Sequence, residues 1–204
     1  MILKINPDNP QPRLIRKVAE VLQGGGVIAY PTDTIYALGC DLYQKEGHRR
    51  IRHLKKHPKS KRLSIICADF KDISKYAHIP NYAYRIMKKL IPGPYTFIFQ
   101  ATKLVPKIML TNQKSIGIRV PDHKIPIAFV RELEHPIITT SITKPDESLY
   151  NHPEEIDQLF GKSLNLVVDG GLIIADHSSI IDFTGDQPVL LRKGKGDVSP
   201  FEEE

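Results

Sequence analysis

The sequence contains little cysteine and no long hydrophobic run. Cys40 and Cys67 are its two cysteines, and their separation of 27 positions fits neither a zinc-binding spacing nor a redox CxxC pair. This excludes a disulfide framework and favours a reducing compartment. No stretch approaches the ~20 apolar residues that span a bilayer, and the first residues lack the apolar core of a signal peptide. We therefore expect a cytoplasmic protein with no membrane partner.

Acidic residues are missing from one basic segment, residues 48–62. The segment holds eight of the 29 lysines and arginines and three of the eight histidines. Since the net charge of the chain is +6, the other residues together carry −2. Such a segment is typical of binding to a polyanion, namely a nucleotide, pyrophosphate or RNA, and a solvated helix face would have the same composition. Because it contains no aromatic residue, stacking on single-stranded bases is disfavoured.

Alternating helical and strand patterns predict one α/β domain over residues 1–204. The apolar periodicity indicates helices within 7–23, 45–56, 81–90, 125–133 and 153–160. It indicates strands within 26–30, 63–67, 95–100, 115–120, 136–141 and 165–169, and a closing hairpin over 178–192. We expect a mixed α/β (α+β) fold, with helices packed on one twisted mixed sheet and a disordered tail at 199–204.

Several familiar catalytic and cofactor motifs are absent. Gly161-Lys162-Ser163 imitates the end of a phosphate-binding P-loop, but Ile156 stands where that loop requires glycine. The chain has no Gly-x-Ser-x-Gly elbow for a nucleophile. Its histidines are scattered and never paired with carboxylates at ligand spacing, so we expect no metal site made by the protein.

Hydroxyls and single cations recur at the ends of the predicted strands. They are Thr32, Thr34, Thr96, Arg119, Ser141, Ser178 and Arg192. Open α/β sheets bind ligands at strand ends, and hydroxyl and guanidinium donors suit phosphate and carboxylate oxygens. Each residue alone is equally typical of a helix cap or a turn. As a set, they predict one anion-binding cleft.

Six ordered motifs resemble those of the YrdC/YciO family. Tyr30–Gly39 resembles YPTDTxYGLG, Pro92–Thr96 resembles PGPxT, Ile118–Pro121 resembles VRxP, Thr140-Ser141 resembles the TS element, Ser178–Asp182 resembles STVVD, and Leu191–Gly194 resembles LRxG. The closing Gly194-Lys195-Gly196-Asp197-Val198 is similar to the GxGDV of the YciO branch. The resemblance extends from about residue 10 to residue 198.

The resemblance implies a YrdC/RibB-like fold with a large, basic concave cleft. Members similar to YrdC are threonylcarbamoyl-AMP synthases, a type of nucleotidyltransferase. They combine ATP, L-threonine and bicarbonate, release pyrophosphate, and supply the threonylcarbamoyl group for the t6A modification at position 37 of tRNA. Mg²⁺ would be carried with ATP, and no organic cofactor is implied.

Site roles follow from the resemblance, motif by motif. The residues that would surround threonine are Thr32, Thr34, Thr96 and Arg119. The residues that would hold ATP are Lys55, His57, Lys59, Arg62, Ser141, Thr143, Ser178 and Arg192. Lys55 and Arg119 would matter most. None would act as a nucleophile, because the site's task is positioning and charge neutralisation.

Two positions depart from the synthase signature. Where that signature has Lys-x-Arg, this chain has Lys55-Lys56-His57, and where it has Ser-x-Asn, this chain has Ser141-Ile142-Thr143. Histidine lacks the guanidinium fork, and a threonine hydroxyl lacks the donor and acceptor pair of an amide. Two hypotheses therefore stay open. The chain is either a synthase-like enzyme of low activity or a non-catalytic protein of the YciO type that binds double-stranded RNA, tRNA or the ribosome.

Overall fold

A mixed β-sheet forms the centre of the protein. The computed structural model describes residues 1–55, 63–110, 113–144 and 148–201. Within these residues, eleven strands join one sheet. They are β1 (Ile2–Lys4), β2 (Val27–Pro31), β3 (Tyr36–Asp41), β4 (Ser64–Ile66), β5 (Ala77–His78), β6 (Tyr95–Ala101), β7 (Ser115–Arg119), β8 (Ile137–Ser141), β9 (Leu166–Asp169), β10 (Ser179–Asp182) and β11 (Val189–Arg192). Their order is β1-β9-β2-β3-β8-β4-β7-β6-β10-β11, and β5 pairs with β6.

Helices pack on both faces of this sheet. They are α1 (Pro12–Gln23), α2 (Lys45–Leu54), α3 (Phe70–Tyr76), α4 (Asn81–Leu90), α5 (Lys124–Leu133) and α6 (Pro153–Phe160). In α1, proline occupies the first turn, where its missing N–H costs nothing. Ile15, Val18 and Leu22 are buried at helical spacing on the side that faces the sheet.

One face of the sheet changes from core to cleft along its strands. Ile137, Thr139 and Ser141 alternate in β8, so their side chains point to the same face. Ile137 belongs to an apolar cluster that also contains residues of α1 and α5, among them Leu22 and Phe129. Thr139 and Ser141 instead line an open cavity. This face therefore supplies both packing for two helices and the floor of a site.

The opposite face carries the larger part of the core. Ile51 of α2, Ile73 of α3, Met87 of α4 and Ile156 of α6 are buried in one apolar cluster with the inner side chains of the strands. The open cavity lined by Thr139 and Ser141 lies on the other face, so we place the functional site there.

The predicted mixed α/β fold is confirmed, with some elements missed. The five predicted helices are present, and β10 and β11 form the expected antiparallel hairpin. The pattern did not predict β1, β3, β5 or α3. Ser199–Phe201 form a 3-10 turn, and the Phe201 ring lies 6.3 Å from that of Phe183. The remaining residues of the expected tail, 202–204, lie outside the described part of the chain.

Two further observations concern the cysteine side chains and the length of the helices. Cys40 and Cys67 are buried free thiols, and burial raises the pKa of each. Over the described ranges, no helix is both long and apolar enough to cross a membrane.

Candidate functional site: a basic cleft

A cavity of about 470 Å³ opens on the cleft face of the sheet. Its walls come from strand ends that are distant in sequence, as expected for a mixed sheet. Of the residues predicted from sequence, those that line it are Lys55, Thr96, Arg119, Ser141, Thr143, Ser178 and Arg192. The structure thus brings these seven residues together on one cavity, and the ligands assigned to them stay predictions.

Arg119 is the most buried cation of the cleft, with 6% of its surface exposed. Its Nη2 donates to Asp33 Oδ1 and to Thr34 Oγ1, both at 2.8 Å. Its buried Nε–H has no hydrogen-bond partner among the described residues. An unmet buried donor is costly unless a ligand or water satisfies it. The guanidinium is therefore held through Nη2, and its Nε–H is a buried donor without a partner among the described residues.

Thr32 and Thr34 support Arg119 from behind rather than lining the cavity. Thr32 Oγ1 donates to the carbonyl of Ile35 at 2.7 Å and accepts the backbone N–H groups of Thr34 and Ile35, each at 3.1 Å. That hydroxyl is fully used by the turn between β2 and β3. Thr34 accepts from Arg119 and lies 3.0 Å from the Thr32 hydroxyl. The turn thus orients the cation, and direct contact of either hydroxyl with threonine is not what the geometry favours.

Ser178, Thr96 and Arg192 form a second polar group in the cleft. Strands β6 and β10 are parallel and begin side by side, which brings Thr96 Oγ1 within 2.9 Å of Ser178 Oγ. Arg192 Nη2 donates to Ser178 Oγ at 3.1 Å, and its Nε donates to the Ser178 carbonyl at 3.0 Å. Burial and the charge of Arg119 lower the pKa of Arg192. Two guanidiniums therefore face the same cleft, and an anion between them would relieve their repulsion.

Lys55 brings a third cation from the end of α2. Its Nζ donates to Thr143 Oγ1 at 3.2 Å, so the lysine that matches the synthase signature contacts the threonine that replaces its asparagine. Ser141 ends β8 and pairs with Ala37 of β3. The cleft thus combines three cations with several hydroxyls, an arrangement that suits a ligand with more than one anionic group and with polar edges.

Comparison with known proteins identifies the family to which this chain belongs. The family model described as "Telomere recombination", which covers Sua5, YciO and YrdC proteins, matches residues 20–194. The chain belongs to the Sua5/YciO/YrdC family. It is 41% identical to the uncharacterized protein YciO of Escherichia coli (strain K12), over 97% of each chain. The crystal structure of E. coli YciO superposes with a TM-score of 0.95, at 40% identity and 99% coverage of both chains.

Synthases of the Sua5/YciO/YrdC family are also similar to this chain. The threonylcarbamoyl-AMP synthase of Pyrococcus abyssi is 31% identical over 88% of this chain and 54% of its own length. The crystal structure of P. abyssi Sua5 complexed with L-threonine matches with a TM-score of 0.88 and 28% identity, over 95% of this chain and 57% of that one. This chain thus spans little more than half of the P. abyssi protein.

Within this family fold, sequence reasoning missed several cleft residues. Ser64 and His177 line the cavity, and Asp33 holds Arg119. Asp33 lies within the Tyr30–Gly39 motif, and its carboxylate in that motif is the feature that could have identified it as a site residue. His177 directly precedes Ser178 in the chain. Ser64 carried a weaker signal, since it is simply the first residue of a short apolar strand.

Three residues assigned to ATP from the family resemblance, His57, Lys59 and Arg62, lie outside the described residues. Among the residues that the structure describes, no group of three or more His, Cys, Asp or Glu side chains is placed to hold a metal ion. The side chains that line the cavity are hydroxylated, cationic, aliphatic or imidazole. Mg²⁺ would therefore fit this cleft through phosphate oxygens of a ligand.

Proposed function

We propose that the cleft binds ATP and L-threonine and that the protein is an L-threonylcarbamoyladenylate synthase-like enzyme. In this reaction the threonine amine and bicarbonate form a carbamate with loss of water. A carbamate oxygen then attacks the α-phosphorus of ATP. The bond between the α-phosphorus and the bridging oxygen breaks, and pyrophosphate leaves with that oxygen and its electron pair. The product is threonylcarbamoyl-AMP, a donor for the t6A37 modification of tRNA.

The observation that carries this proposal is the presence of Lys55, Arg119 and Arg192 on one cavity. Three cations that line one cavity of about 470 Å³ favour a ligand with several anionic groups. ATP and the carboxylates of threonine and its carbamate provide such anions. The sequence similarity to the P. abyssi synthase and the fold shared with its threonine complex support the same substrates.

Each end of the cleft suits a different substrate. We place the threonine carboxylate at Arg119, because this buried guanidinium belongs to the cavity lining and its Nε–H has no partner among the described residues. The phosphates would lie near Lys55, Ser141 and Arg192, where ammonium, hydroxyl and guanidinium donors line the wall. Mg²⁺ carried on the phosphates would neutralise charge on the leaving pyrophosphate. Since the carbamate is itself the nucleophile, the side chains need only align two anions and stabilise developing charge.

The test is synthesis of the product by the purified protein. ATP, L-threonine, Mg²⁺ and labelled bicarbonate are incubated with it, and threonylcarbamoyl-AMP and pyrophosphate are measured by chromatography and mass spectrometry. We expect product from the wild type and loss of about 100-fold or more in Arg119→Met, since a buried charged hydrogen bond is removed. Arg16→Met, on the exposed side of α1, is the matched control and should retain activity. Wild-type product no higher than the no-enzyme background would overturn the proposal.

RNA binding is the second candidate, and the described part of the basic segment gives it less support. His48 is buried, Arg50 donates to Asn165 Oδ1 at 2.8 Å and to the Ser163 carbonyl at 2.9 Å, and Lys55 lines the cleft. These groups face the protein rather than a flat surface for RNA. Exposed Arg49 and His53 favour an RNA contact. Affinity for tRNA or double-stranded RNA that falls steeply with salt, and falls again in Arg49→Met, would favour this second function.

A further inference from the structure

Residues 194–198, here called the strap, pack beside the cleft and do not line it. Arg192, which lies just before the strap in the chain, does line the cleft. Ser179 Oγ donates to the carbonyl of Gly196 at 2.7 Å and accepts the N–H of Gly194 at 3.1 Å. The Tyr95 hydroxyl donates to the carbonyl of Asp197 at 3.2 Å. The strap is therefore anchored to the first residues of β6 and β10, the same strand ends that supply Thr96 and Ser178 to the cleft.

The two glycines of the strap allow this close docking. A Cβ on Gly194 would collide with the carbonyl of His177, and a Cβ on Gly196 would collide with the Tyr95 ring. Both contacts involve groups that cannot move away freely, namely backbone and a buried ring. The pattern Gly-x-Gly thus follows from packing and fixes the position of Lys195 between the glycines.

Lys195 connects the strap to both walls of the cleft. Its backbone N–H donates to the carbonyl of His177 at 2.7 Å, next to Ser178. Its Nζ donates to the carbonyl of Asp33 at 2.7 Å. A further hydrogen bond, from the N–H of Asp176 to the carbonyl of Thr34 at 3.0 Å, also connects the segment before Ser178 to the 32–35 turn. Lys195 therefore spans from the wall of Ser178 to the turn that holds Arg119.

We propose that Lys195 is a positioning residue for the carboxylate-binding end of the cleft. Its ammonium holds the backbone at Asp33, and the Asp33 side chain holds Nη2 of Arg119. Losing this contact loosens the 32–35 turn and lets the Arg119 guanidinium leave the orientation in which Asp33 and Thr34 hold it. The effect on threonine rests on the function proposed above. We expect the effect mainly on threonine, because the Lys195 ammonium contacts the turn that holds Arg119. Lys55 and Ser141, at the phosphate end, come from α2 and β8, and Arg192 is held by its own bonds to Ser178.

The test compares Lys195→Met with Lys193→Met in the full chain. Lys193→Met removes the same charge two positions away and serves as the control for the general electrostatic field. The dissociation constants of L-threonine and of a non-hydrolysable ATP analogue are measured by calorimetry. Hydrogen–deuterium exchange of peptides covering 31–36 is measured without ligand. We expect Lys195→Met to weaken threonine binding about five-fold, as for loss of one charged hydrogen bond, with ATP-analogue binding within two-fold of wild type.

Amide exchange at 31–36 should rise in Lys195→Met, stay at the wild-type level in Lys193→Met, and be restored in Lys195→Arg, which keeps a charged donor. Unchanged exchange in Lys195→Met would overturn the positioning role. Equal weakening of threonine and the ATP analogue would overturn it too, since that is the result of a general loss of structure. If the wild type binds no threonine at all, the proposed function is wrong, and the exchange experiment alone decides the role of Lys195.

Discussion

Asp33 and Arg119 form an ion pair of 2.8 Å in which the side chains are 9% and 7% exposed. The second carboxylate oxygen of Asp33 accepts the backbone N–H of Asp122 at 3.1 Å. Asp33 therefore joins the turn after β2 to the segment after β7. It fixes the Arg119 guanidinium through Nη2, while the buried Nε–H has no hydrogen-bond partner among the described residues. This pair is the part of the site that determines how a ligand carboxylate would meet the cation.

Replacing Asp33 by asparagine should both destabilise the protein and weaken threonine binding. The substitution leaves a buried guanidinium without its counter-charge, and breaking such a pair costs about 3 kcal/mol. We expect the free energy of unfolding in urea to fall by about that amount. Asp122→Asn is the control, because Asp33 uses only the backbone N–H of Asp122. Equal stability of Asp33→Asn and Asp122→Asn would show that the pair contributes nothing.

Gly117 keeps space for the Ser64 hydroxyl on the cleft floor. Ser64 and Gly117 are direct partners in the parallel pair of β4 and β7. A Cβ on Gly117 would collide with Ser64 Oγ, and it would lie 3.2 Å from Ser64 Cβ and 3.4 Å from Thr96 Cγ2. Gly117→Ala should therefore lower stability by about 1–3 kcal/mol, the usual range for overpacking.

A double substitution tests the cause of that loss. Ser64→Ala removes the colliding oxygen, so Ser64→Ala/Gly117→Ala should recover part of the stability lost in Gly117→Ala. Urea unfolding of the wild type, the two single variants and the double variant gives the coupling energy between the two positions. Additive effects would contradict a direct collision between the two side chains.

Many residues of the cleft could be predicted from the sequence even though the order of the strands in the sheet could not. Arg119 and Ser178 were recognised because cations and hydroxyls at strand ends are informative whatever the strand order. Ser64 was missed because its place on the cleft floor depends on β4 lying between β8 and β7, which is a property of the sheet and not of the local sequence. Asp33 was missed for a related reason, since its partner Arg119 is 86 positions away.

Two elements were missed for local reasons. β3 follows β2 after a turn of only four residues, and both strands are buried throughout, so no polar alternation separates them. α3 has seven residues, too few for a helical period to stand out. Its start is nevertheless marked, because Asp69 accepts the N–H of Asp72 as an N-cap.

His135 should make stability decline as the pH rises above neutrality. Its Nε2 lies 2.9 Å from Asp41 Oδ2, and the hydrogen bond to Asp41 raises the pKa of His135. A raised pKa in the folded state means that the folded chain binds the proton more tightly than the unfolded chain. The contribution of His135 to the free energy of unfolding is complete below about pH 6.5, the ordinary pKa of histidine. It is lost as the pH rises through the higher pKa of the folded state.

The measurement is urea unfolding of wild type and His135→Gln between pH 5.5 and pH 8.5. The stability difference between the two proteins should be largest at the acid end and shrink toward the alkaline end. His78→Gln is the control, because His78 is exposed and its replacement leaves the Asp41 contact intact. A difference that does not change with pH would show that His135 is not charged in its contact with Asp41.

His48 should make the free energy of unfolding decrease as the pH falls, whereas His135 makes it decrease as the pH rises. The side chain is buried in α2, where Arg52 Nε donates to its Nε2 at 3.4 Å. Burial, and then the charge of Arg52, lower the pKa of His48 to about 4. The unfolded chain binds this proton from about pH 6.5 downward, so stability should fall between pH 6.5 and pH 4 and level off below. His48→Gln should reduce this slope in urea unfolding, whereas His53→Gln, at an exposed position on the same helix, should retain it. An unchanged slope in His48→Gln would show that other groups cause the acid loss, even if the variant is less stable at every pH.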